Sequence, residues 1–133
     1  MNKIFKKIVF IFLFFLSLLL NVNAQEKLKI GLLVPMTGDN KELGKLIIQS
    51  TRIALKDIKT NNLEIYPRDT GSNPTTTLQS ASELKEMGIK IVIGPVFYNS
   101  SIYLNELEDI NFISLTNKTV DLPKNVISSG VNA

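Results

Sequence analysis

Short apolar runs alternate with stretches of helical periodicity along most of this chain, and this alternation limits the folds open to it. Leu28 to Val34 is almost continuously apolar and stops at Pro35. Similar runs follow at residues 63–66, 89–93, 111–115 and 126–127. Near-continuous apolarity is typical of strands that are covered on both faces, as in parallel sheets.

The first helical stretch covers about residues 40–59. Asp39 with Glu42 resembles a capping box at its start. The apolar residues of this stretch that fall on one stripe are Leu43, Leu46, Ile47, Ala54 and Ile58.

Two further helices are expected. Asn73 followed by Pro74 predicts the start of one, which Gly88 ends, and the other covers about residues 101–108. The order of elements predicts an α/β fold, an open parallel doubly wound sheet of the form β-α-β-α-β-α-β with a short fifth strand. A sheet built from these elements is short of helices on one face.

The first 24 residues have the pattern of a secretion signal. Lys3, Lys6 and Lys7 form a positive start, residues 8–20 are almost wholly apolar, and small residues lead to Ala24. A membrane-spanning helix needs about 20 apolar residues, so this run favours a cleaved signal over the alternative of an uncleaved anchor. We expect cleavage after Ala24, a periplasmic mature chain and no stable membrane anchor.

The composition excludes several function classes. Fifteen basic residues face twelve acidic ones, but three of the basic residues belong to the signal, so the mature chain is neutral. Because no basic patch is interleaved with aromatic residues, we expect no nucleic-acid partner. The chain has no histidine and no cysteine, which excludes His-based triads, His-based metal sites and disulfides. No phosphate-loop or dinucleotide motif is present, so we expect no cofactor and no metal.

Polar loops follow the first, third and fourth predicted strands. In open parallel sheets, ligands bind beyond the carboxyl ends of the strands where the strand order reverses, which in the common doubly wound order lies between the first and third strands. Hydroxyls, amides and helix N-termini suit an anionic or zwitterionic small molecule. The candidate ligand-binding residues are therefore Thr37, Gly38, Tyr98, Asn99, Ser100, Thr116, Asn117 and Lys118.

Asp69-Thr70-Gly71 matches the active-site triplet of aspartic proteases, whose chemistry needs two carboxylates that share a proton. Those enzymes are all-β, whereas here Asn73-Pro74 opens a helix shortly after the triplet. We therefore expect no catalytic residue. The triplet is interpreted as a turn in which Asp69 bonds to the backbone and Gly71 takes a positive φ.

Two groups of residues carry a resemblance to a known family. Residues 29–38, Lys-Ile-Gly-Leu-Leu-Val-Pro-Met-Thr-Gly, resemble the opening of leucine-binding-protein-type periplasmic domains, the type 1 periplasmic binding fold. Residues 67–71, Pro-Arg-Asp-Thr-Gly, and 91–97, Ile-Val-Ile-Gly-Pro-Val-Phe, resemble more narrowly the penicillin-binding-protein activator branch of that fold. Family members are much longer than this chain, so we interpret residues 25–133 as an N-terminal fragment, a partial N-terminal lobe.

The resemblance implies a non-enzymatic protein whose two lobes close on a cleft. In amino-acid-binding members, loops after the third and fourth strands hold the ligand. By this resemblance Tyr98 stands where those members have a serine, Leu43 stands where they have a tyrosine, and Thr116 and Lys118 lie near their main-chain and threonine contacts. Only Thr116 fits the amino-acid-binding pattern.

The resemblance therefore favours an activator-type regulator of peptidoglycan synthesis, whose partner is a peptidoglycan synthase. The alternative is the solute-binding component of an amino-acid ABC transporter. Its partner would be an ABC permease, and its ligand a small molecule such as an amino acid.

Overall fold

The computed structural model describes residues 2–19, 26–59 and 61–130. The helices in this part of the chain are α1 (Lys3–Leu19), α2 (Lys41–Ile58) and α3 (Pro74–Glu86). The strands are β1 (Leu28–Val34), β2 (Leu63–Asp69), β3 (Ile91–Ile93), β4 (Asn111–Ser114) and β5 (Val126–Ser128). Two 3₁₀ turns, Tyr98–Ser101 and Leu104–Glu106, lie between β3 and β4.

The strands form one five-stranded sheet in the order β2-β1-β3-β4-β5. Every neighbouring pair is parallel. β1 pairs with β2 from Leu28 opposite Leu63 to Val34 opposite Asp69, and it pairs with β3 on its other side. The predicted open parallel doubly wound sheet is confirmed, including the reversal of strand order between β1 and β3.

β2 extends beyond the predicted end of its strand, through Pro67 to Asp69. A proline has no backbone N–H to donate, so it is tolerated mainly on edge strands. β2 is an edge strand of this sheet. The extension matters for the site because it brings the Asp69 carboxylate to the carboxyl edge of the sheet.

The predicted third helix over residues 101–108 is wrong, because this segment forms two 3₁₀ turns. The Ser101 hydroxyl donates to the Tyr98 carbonyl at 2.6 Å. Asn125 Nδ2 donates, at 2.8, 2.9 and 3.2 Å, to the carbonyls of Leu104, Leu107 and Ile110. In an α-helix over residues 101–108 the Leu104 carbonyl would accept the Glu108 N–H, so the Asn125 side chain competes with that helical bond.

The capping box predicted for α2 is also wrong. Asn40, not Asp39, is the N-cap, and its side chain makes no capping bond. The Asn40 backbone (φ −96°, ψ 11°) is not extended, as that of a capping residue usually is. The Asn40 side-chain Nδ2 donates instead to Ser72 Oγ at 3.1 Å. Glu42 pairs with Lys45 at 2.8 Å and not with the helix terminus.

α3 begins and ends as predicted. Asn73 Oδ1 accepts the backbone N–H groups of Thr75 at 2.9 Å and Thr76 at 3.2 Å, and a proline follows at the first turn. At the other end Gly88 has a φ of 77° and donates its N–H to the Lys85 carbonyl at 2.9 Å. Both ends of the helix therefore follow from local sequence.

One face of the sheet carries the hydrophobic core, against α3 and the 3₁₀ turns. Gly31 of β1 lies on this face, and an added Cβ there would overlap side chains of Leu84 in α3 and Val92 in β3. The buried members of this core are Leu33, Ala81, Leu84, Ile89, Val92, Leu104, Leu107, Ile110, Phe112 and Val126. The core therefore joins four of the five strands to a single helical layer.

The opposite face is only partly covered by the described residues. Leu32, Ile93, Ile113 and Ile127 are in register across β1, β3, β4 and β5. Leu32 is buried, Ile93 is half-buried, Ile113 is 37% exposed and Ile127 is 64% exposed. The expectation that one face is short of helices is confirmed for the described chain.

Only part of the predicted apolar stripe of α2 lies on the side of the helix that packs against the sheet. Ile47 is half-buried, whereas Leu43, Leu46, Ala54 and Ile58 are exposed. The buried and half-buried residues of the helix are Gly44, Ile47, Ile48, Thr51 and Leu55. Gly44 lies so close to the Pro35 carbonyl, just after β1, that an added Cβ would overlap it. A residue without a side chain is therefore needed at this point of the helix.

α1 is a helix whose first side chains, from Ile4 to Phe12, are largely exposed. Within residues 2–19, 26–59 and 61–130, no helix combines the length and apolarity needed to cross a bilayer. The predicted cleavage site after Ala24 lies outside the described residues.

We expect Gly44→Ala to lower the free energy of unfolding by about 2 kcal/mol. The added Cβ would overlap the Pro35 carbonyl oxygen and push α2 away from β1. Urea denaturation measures the change. Arg52→Ala, at an exposed position of the same helix, is the matched control and should change the value by less than about 0.5 kcal/mol. An unaltered unfolding midpoint for Gly44→Ala would contradict this close approach.

Candidate functional site

The candidate site is the carboxyl edge of the sheet, where the loops after β1, β3 and β4 meet beside the reversal of strand order. The loop after β1 leads into α2, and the loop after β3 leads into the two 3₁₀ turns. The edge therefore combines residues from three separate segments of the chain.

Asp69 joins the β1 loop to the β2 loop. Its Oδ1 accepts backbone N–H groups from Met36 at 2.7 Å, Thr37 at 3.3 Å and Gly71 at 2.8 Å. Its Oδ2 accepts the Thr37 hydroxyl at 2.5 Å. Sequence reasoning anticipated the turn to Gly71, whose φ is 52°, but not the bonds to the β1 loop, because those depend on strand pairing.

The electrostatics of Asp69 follow from these bonds. Partial burial raises the pKa of its carboxyl, but the hydrogen bonds from the Thr37 hydroxyl and from the N–H groups of Gly71, Met36 and Thr37 outweigh burial and hold the pKa below its usual value. Asp69 is therefore ionised at neutral pH. The Thr37 hydroxyl donates its hydrogen to Asp69 Oδ2, so it has no second hydrogen to donate to a ligand.

Gly38 lies in the same loop and has a φ of 76°. An added Cβ there would have no atom within 4 Å, so the residue serves the turn and faces open space. Its carbonyl accepts the Lys41 N–H at 3.3 Å, which connects the loop to the first turn of α2.

The structure brings Tyr98 and Lys118 together across the loops after β3 and β4. The Lys118 ammonium lies 3.5 Å from the centre of the Tyr98 ring, a cation–π contact. The Tyr98 hydroxyl donates to the Asp121 carbonyl at 3.2 Å, and Lys118 Nζ lies 4.0 Å from the Asp121 carboxylate. These contacts close the space between the two loops.

Thr116 is buried at the end of β4, where a chain of hydroxyls links three strands. Its Oγ1 accepts the Lys118 N–H at 3.2 Å, and its carbonyl accepts the Ser128 hydroxyl at 2.5 Å. Ser114 donates its hydroxyl to the Pro95 carbonyl at 2.8 Å. The polar groups at this end of β3, β4 and β5 are therefore largely engaged with one another.

The remaining predicted residues divide between the interior and the surface. Ser100 is buried in the first 3₁₀ turn, and its hydroxyl has no hydrogen-bond partner among the described residues. Asn99 and Asn117 are exposed, each in a loop at the carboxyl edge. The edge therefore presents two side-chain amides and one lysine ammonium to solvent.

A groove of about 940 Å³ lies between the 3₁₀ turns and the segment that joins β4 to β5, and it was not predicted from sequence. Of the predicted residues only Tyr98 lines it, and its other walls include Asn105, Glu108, Asp121 and Lys124. The segment between β4 and β5, which forms one wall of the groove, contains no helix. The groove depends on how this segment packs beside the 3₁₀ turns, which residue types alone do not indicate.

Nothing in the described part of the chain assembles a metal-binding cluster of acidic residues. Asp69 of the protease-like triplet lies at the end of a parallel strand, and its carboxylate accepts four hydrogen bonds. The arrangement at the edge is suited to recognition through hydrogen bonds and charge.

We expect Asp69→Asn to lower the free energy of unfolding at pH 7 by about 2 kcal/mol, because charge-assisted bonds to two loops are lost. A carboxyl with a lowered folded-state pKa stabilises the fold above its unfolded-state pKa, and this contribution disappears as the pH falls through the folded-state value. The deficit of the variant should therefore shrink below about pH 4. Denaturant titrations at successive pH values measure it.

The matched control for that experiment is Asp39→Asn, an exposed carboxylate in the β1 loop that bonds to none of the described residues. It should leave the stability at pH 7 within about 0.5 kcal/mol of the wild type. A deficit for Asp69→Asn that is the same at pH 7 and at pH 3 would contradict the role given to its charge.

The sequence matches the family described as periplasmic binding protein over residues 27–124. Among curated proteins, no sequence matches it significantly. The structure is similar to the C-terminal domain of LpoA (YraM) from Haemophilus influenzae, a regulator of PBP1A, with a TM-score of 0.63 and 20% identity, covering 77% of this chain and 32% of that one.

Two transport proteins are similar to the same degree. The leucine-binding protein LivK from Thermotoga maritima gives a TM-score of 0.66 at 21% identity, covering 76% of this chain and 32% of that one. A solute-binding protein of an ABC transporter from Rhodopseudomonas palustris, in complex with 3,4-dihydroxybenzoic acid, gives 0.68 at 20% identity, covering 77% and 31%. This chain spans less than a third of the length of each of the three structures.

These relatives are binding and regulatory proteins, not enzymes. At such identities they show the fold, which is the type 1 periplasmic binding fold in part. The family match extends over most of the sequence and includes all of β1 to β4. The chain belongs to the periplasmic binding protein family.

Proposed function

We propose that this chain is a non-enzymatic regulator of peptidoglycan synthesis, of the penicillin-binding-protein activator type, which acts in the periplasm on a peptidoglycan synthase. The observation that carries the proposal is that the side chains of Thr37, Thr116 and Lys118 at the candidate edge are already engaged with other groups of the fold. A solute site needs convergent polar groups that are free to orient its ligand. A surface that binds another protein does not need them.

Three engaged groups support this interpretation. The Thr37 hydroxyl donates a hydrogen bond to Asp69, Thr116 Oγ1 accepts the Lys118 N–H, and the Lys118 ammonium lies over the Tyr98 ring. An amino acid entering between these loops would have to displace Lys118 from the ring and compete with Asp69 for Thr37. Both exchanges reduce the net affinity for a solute.

The relatives support the choice of partner. LpoA from Haemophilus influenzae is a regulator of PBP1A, and full-length LpoA matches 85% of this chain at 23% identity. The motifs at residues 67–71 and 91–97 resemble the same branch. A peptidoglycan synthase is therefore the partner that we propose.

The second candidate is the solute-binding component of an ABC transporter, with an amino acid as ligand and an ABC permease as partner. Asn99 and Asn117 favour it, because both are exposed at the edge and neither bonds to another described residue. Lys118 could leave the Tyr98 ring to bind a carboxylate. Relatives from Rhodopseudomonas palustris were solved with 3,4-dihydroxybenzoic acid and 4-hydroxybenzoate, so these acids belong in the test.

Two binding measurements separate the candidates. We expect calorimetric titration of the purified protein with each amino acid and with both hydroxybenzoates to show no Kd tighter than about 1 mM. We expect one purified peptidoglycan synthase from the same organism to bind with a Kd of about 1 μM. Micromolar binding of a single small acid without binding to a synthase would contradict the regulator and favour the transporter component.

Lys118→Gln and Lys124→Gln form a matched pair for the titrations. Lys118 lies at the edge, whereas Lys124 lines the groove. If a small acid does bind, loss of about tenfold in affinity for Lys118→Gln alone would place the ligand at the edge. Equal affinity for both variants would exclude the edge as the site of that ligand.

We also propose that residues 1–24 are removed on export and that the mature chain has no stable membrane anchor. The purified periplasmic protein should then begin at Gln25 by intact mass. Ala24→Leu should block cleavage, because signal peptidases require a small residue before the cut, and Lys27→Ala should leave it unchanged. An intact leader on the wild-type protein would contradict this part of the proposal.

A further inference from the structure

We infer that α2 is a contact between two copies of this chain, which pair antiparallel about a two-fold axis through the outward seam of the helix. The outward seam is defined here as Leu46, Gln49, Ser50 and Ile53. All four residues are exposed. The position of this seam and the charges beside it support the pairing.

The seam lies on the side of α2 that faces away from the sheet. At 3.6 residues per turn, Leu46 and Ile53 fall about 180° around the helix from the packed residues Gly44, Ile48 and Leu55. That side of a sheet-packed helix is ordinarily polar. Here Leu46 is 59% exposed and Ile53 is 63% exposed, so two large aliphatic side chains stand in water on a side of the helix that no other described element covers.

The spacing of these residues is the spacing of helix pairing. Leu46 and Ile53 are seven residues apart, which is one repeat of the pattern by which two helices interlock side chains. Leu43, which is 39% exposed, precedes Leu46 by three residues and continues the repeat. A helix added to the same layer of this sheet would lie beside α2 and leave the outward seam uncovered.

Charges along one side of the outward seam indicate that a second copy of this chain binds to it. Glu42, Gln49 and Lys56 follow one another at seven-residue intervals and are all exposed. In an antiparallel pair centred on Gln49, Glu42 of one copy faces Lys56 of the other, and the reverse pair forms by symmetry. In a parallel pair this side of the seam would face the opposite side of the seam on the other copy, so Glu42 and Lys56 would not meet. Antiparallel helix dipoles also attract.

The existing partner of Glu42 does not oppose this exchange. Glu42 pairs with Lys45 of its own helix at 2.8 Å, but both side chains are more than half exposed. Exposed pairs of this kind contribute little to stability. Glu42 can therefore turn to a lysine of another copy at little cost.

Cysteine crosslinking tests the inference directly, because the chain contains no cysteine. We expect full-chain Gln49→Cys to form a disulfide-linked dimer under mild oxidation. Arg52→Cys, which is exposed but lies off the outward seam, should remain a monomer. Absence of a Gln49→Cys dimer, equal crosslinking of both variants, or crosslinking of the Gln49→Cys variant to a different protein in cells would each overturn the inference.

Charge reversal then tests the orientation of the pair in the Gln49→Cys background. Glu42→Lys alone and Lys56→Glu alone each place like charges opposite each other, and each should reduce the crosslinked fraction about fivefold. The double variant restores opposite charges and should recover the original fraction. Failure of the double variant to recover would overturn the antiparallel arrangement, while circular dichroism confirms that each variant is folded.

Discussion

The packing of α3 and the 3₁₀ turns against one face of the sheet is the interaction on which the rest of the structure depends. β3, β4 and β5 are only three or four residues long, too short to hold a register without that layer. Phe112 and Val92, both fully buried, connect the short strands to Leu84 of α3. Because this layer fixes the strands side by side, their carboxyl ends lie level and their loops meet at one edge.

The same constraint explains the exposed apolar surface. The connections from β2 to β5 all contribute to one face, so the other face has α2 as its cover within the described chain. α2 lies close to the chain just after β1, where Gly44 is against the Pro35 carbonyl, and the isoleucines of β4 and β5 are left partly in water. The outward seam of α2 lies on the side of the helix away from the sheet, where Leu46 and Ile53 are exposed.

The features that depend on interactions between residues close in the sequence could be predicted. The apolar runs indicated the strands and their parallel order, and Asn73 with Pro74 indicated the start of α3. The start of α2 and the 101–108 segment could not be predicted, because Asn40 bonds to Ser72 and Asn125 takes three carbonyls from a distant segment. The site residues were predicted at one edge, yet Ser100 is buried, and the role of Asp69 toward Thr37 depends on the pairing of β1 with β2.

Thr37, Thr116 and Lys118 at the edge are engaged with other groups of the fold, which supports the proposed regulator. The one-sided core is the central feature of the fold, and hydrogen exchange of backbone amides in dilute solution measures it most directly. Amides of β1, β3, β4 and α3 should exchange slowest and together, whereas those of α2 should exchange faster through local opening. Protection of α2 equal to that of α3 would contradict a core built on one face.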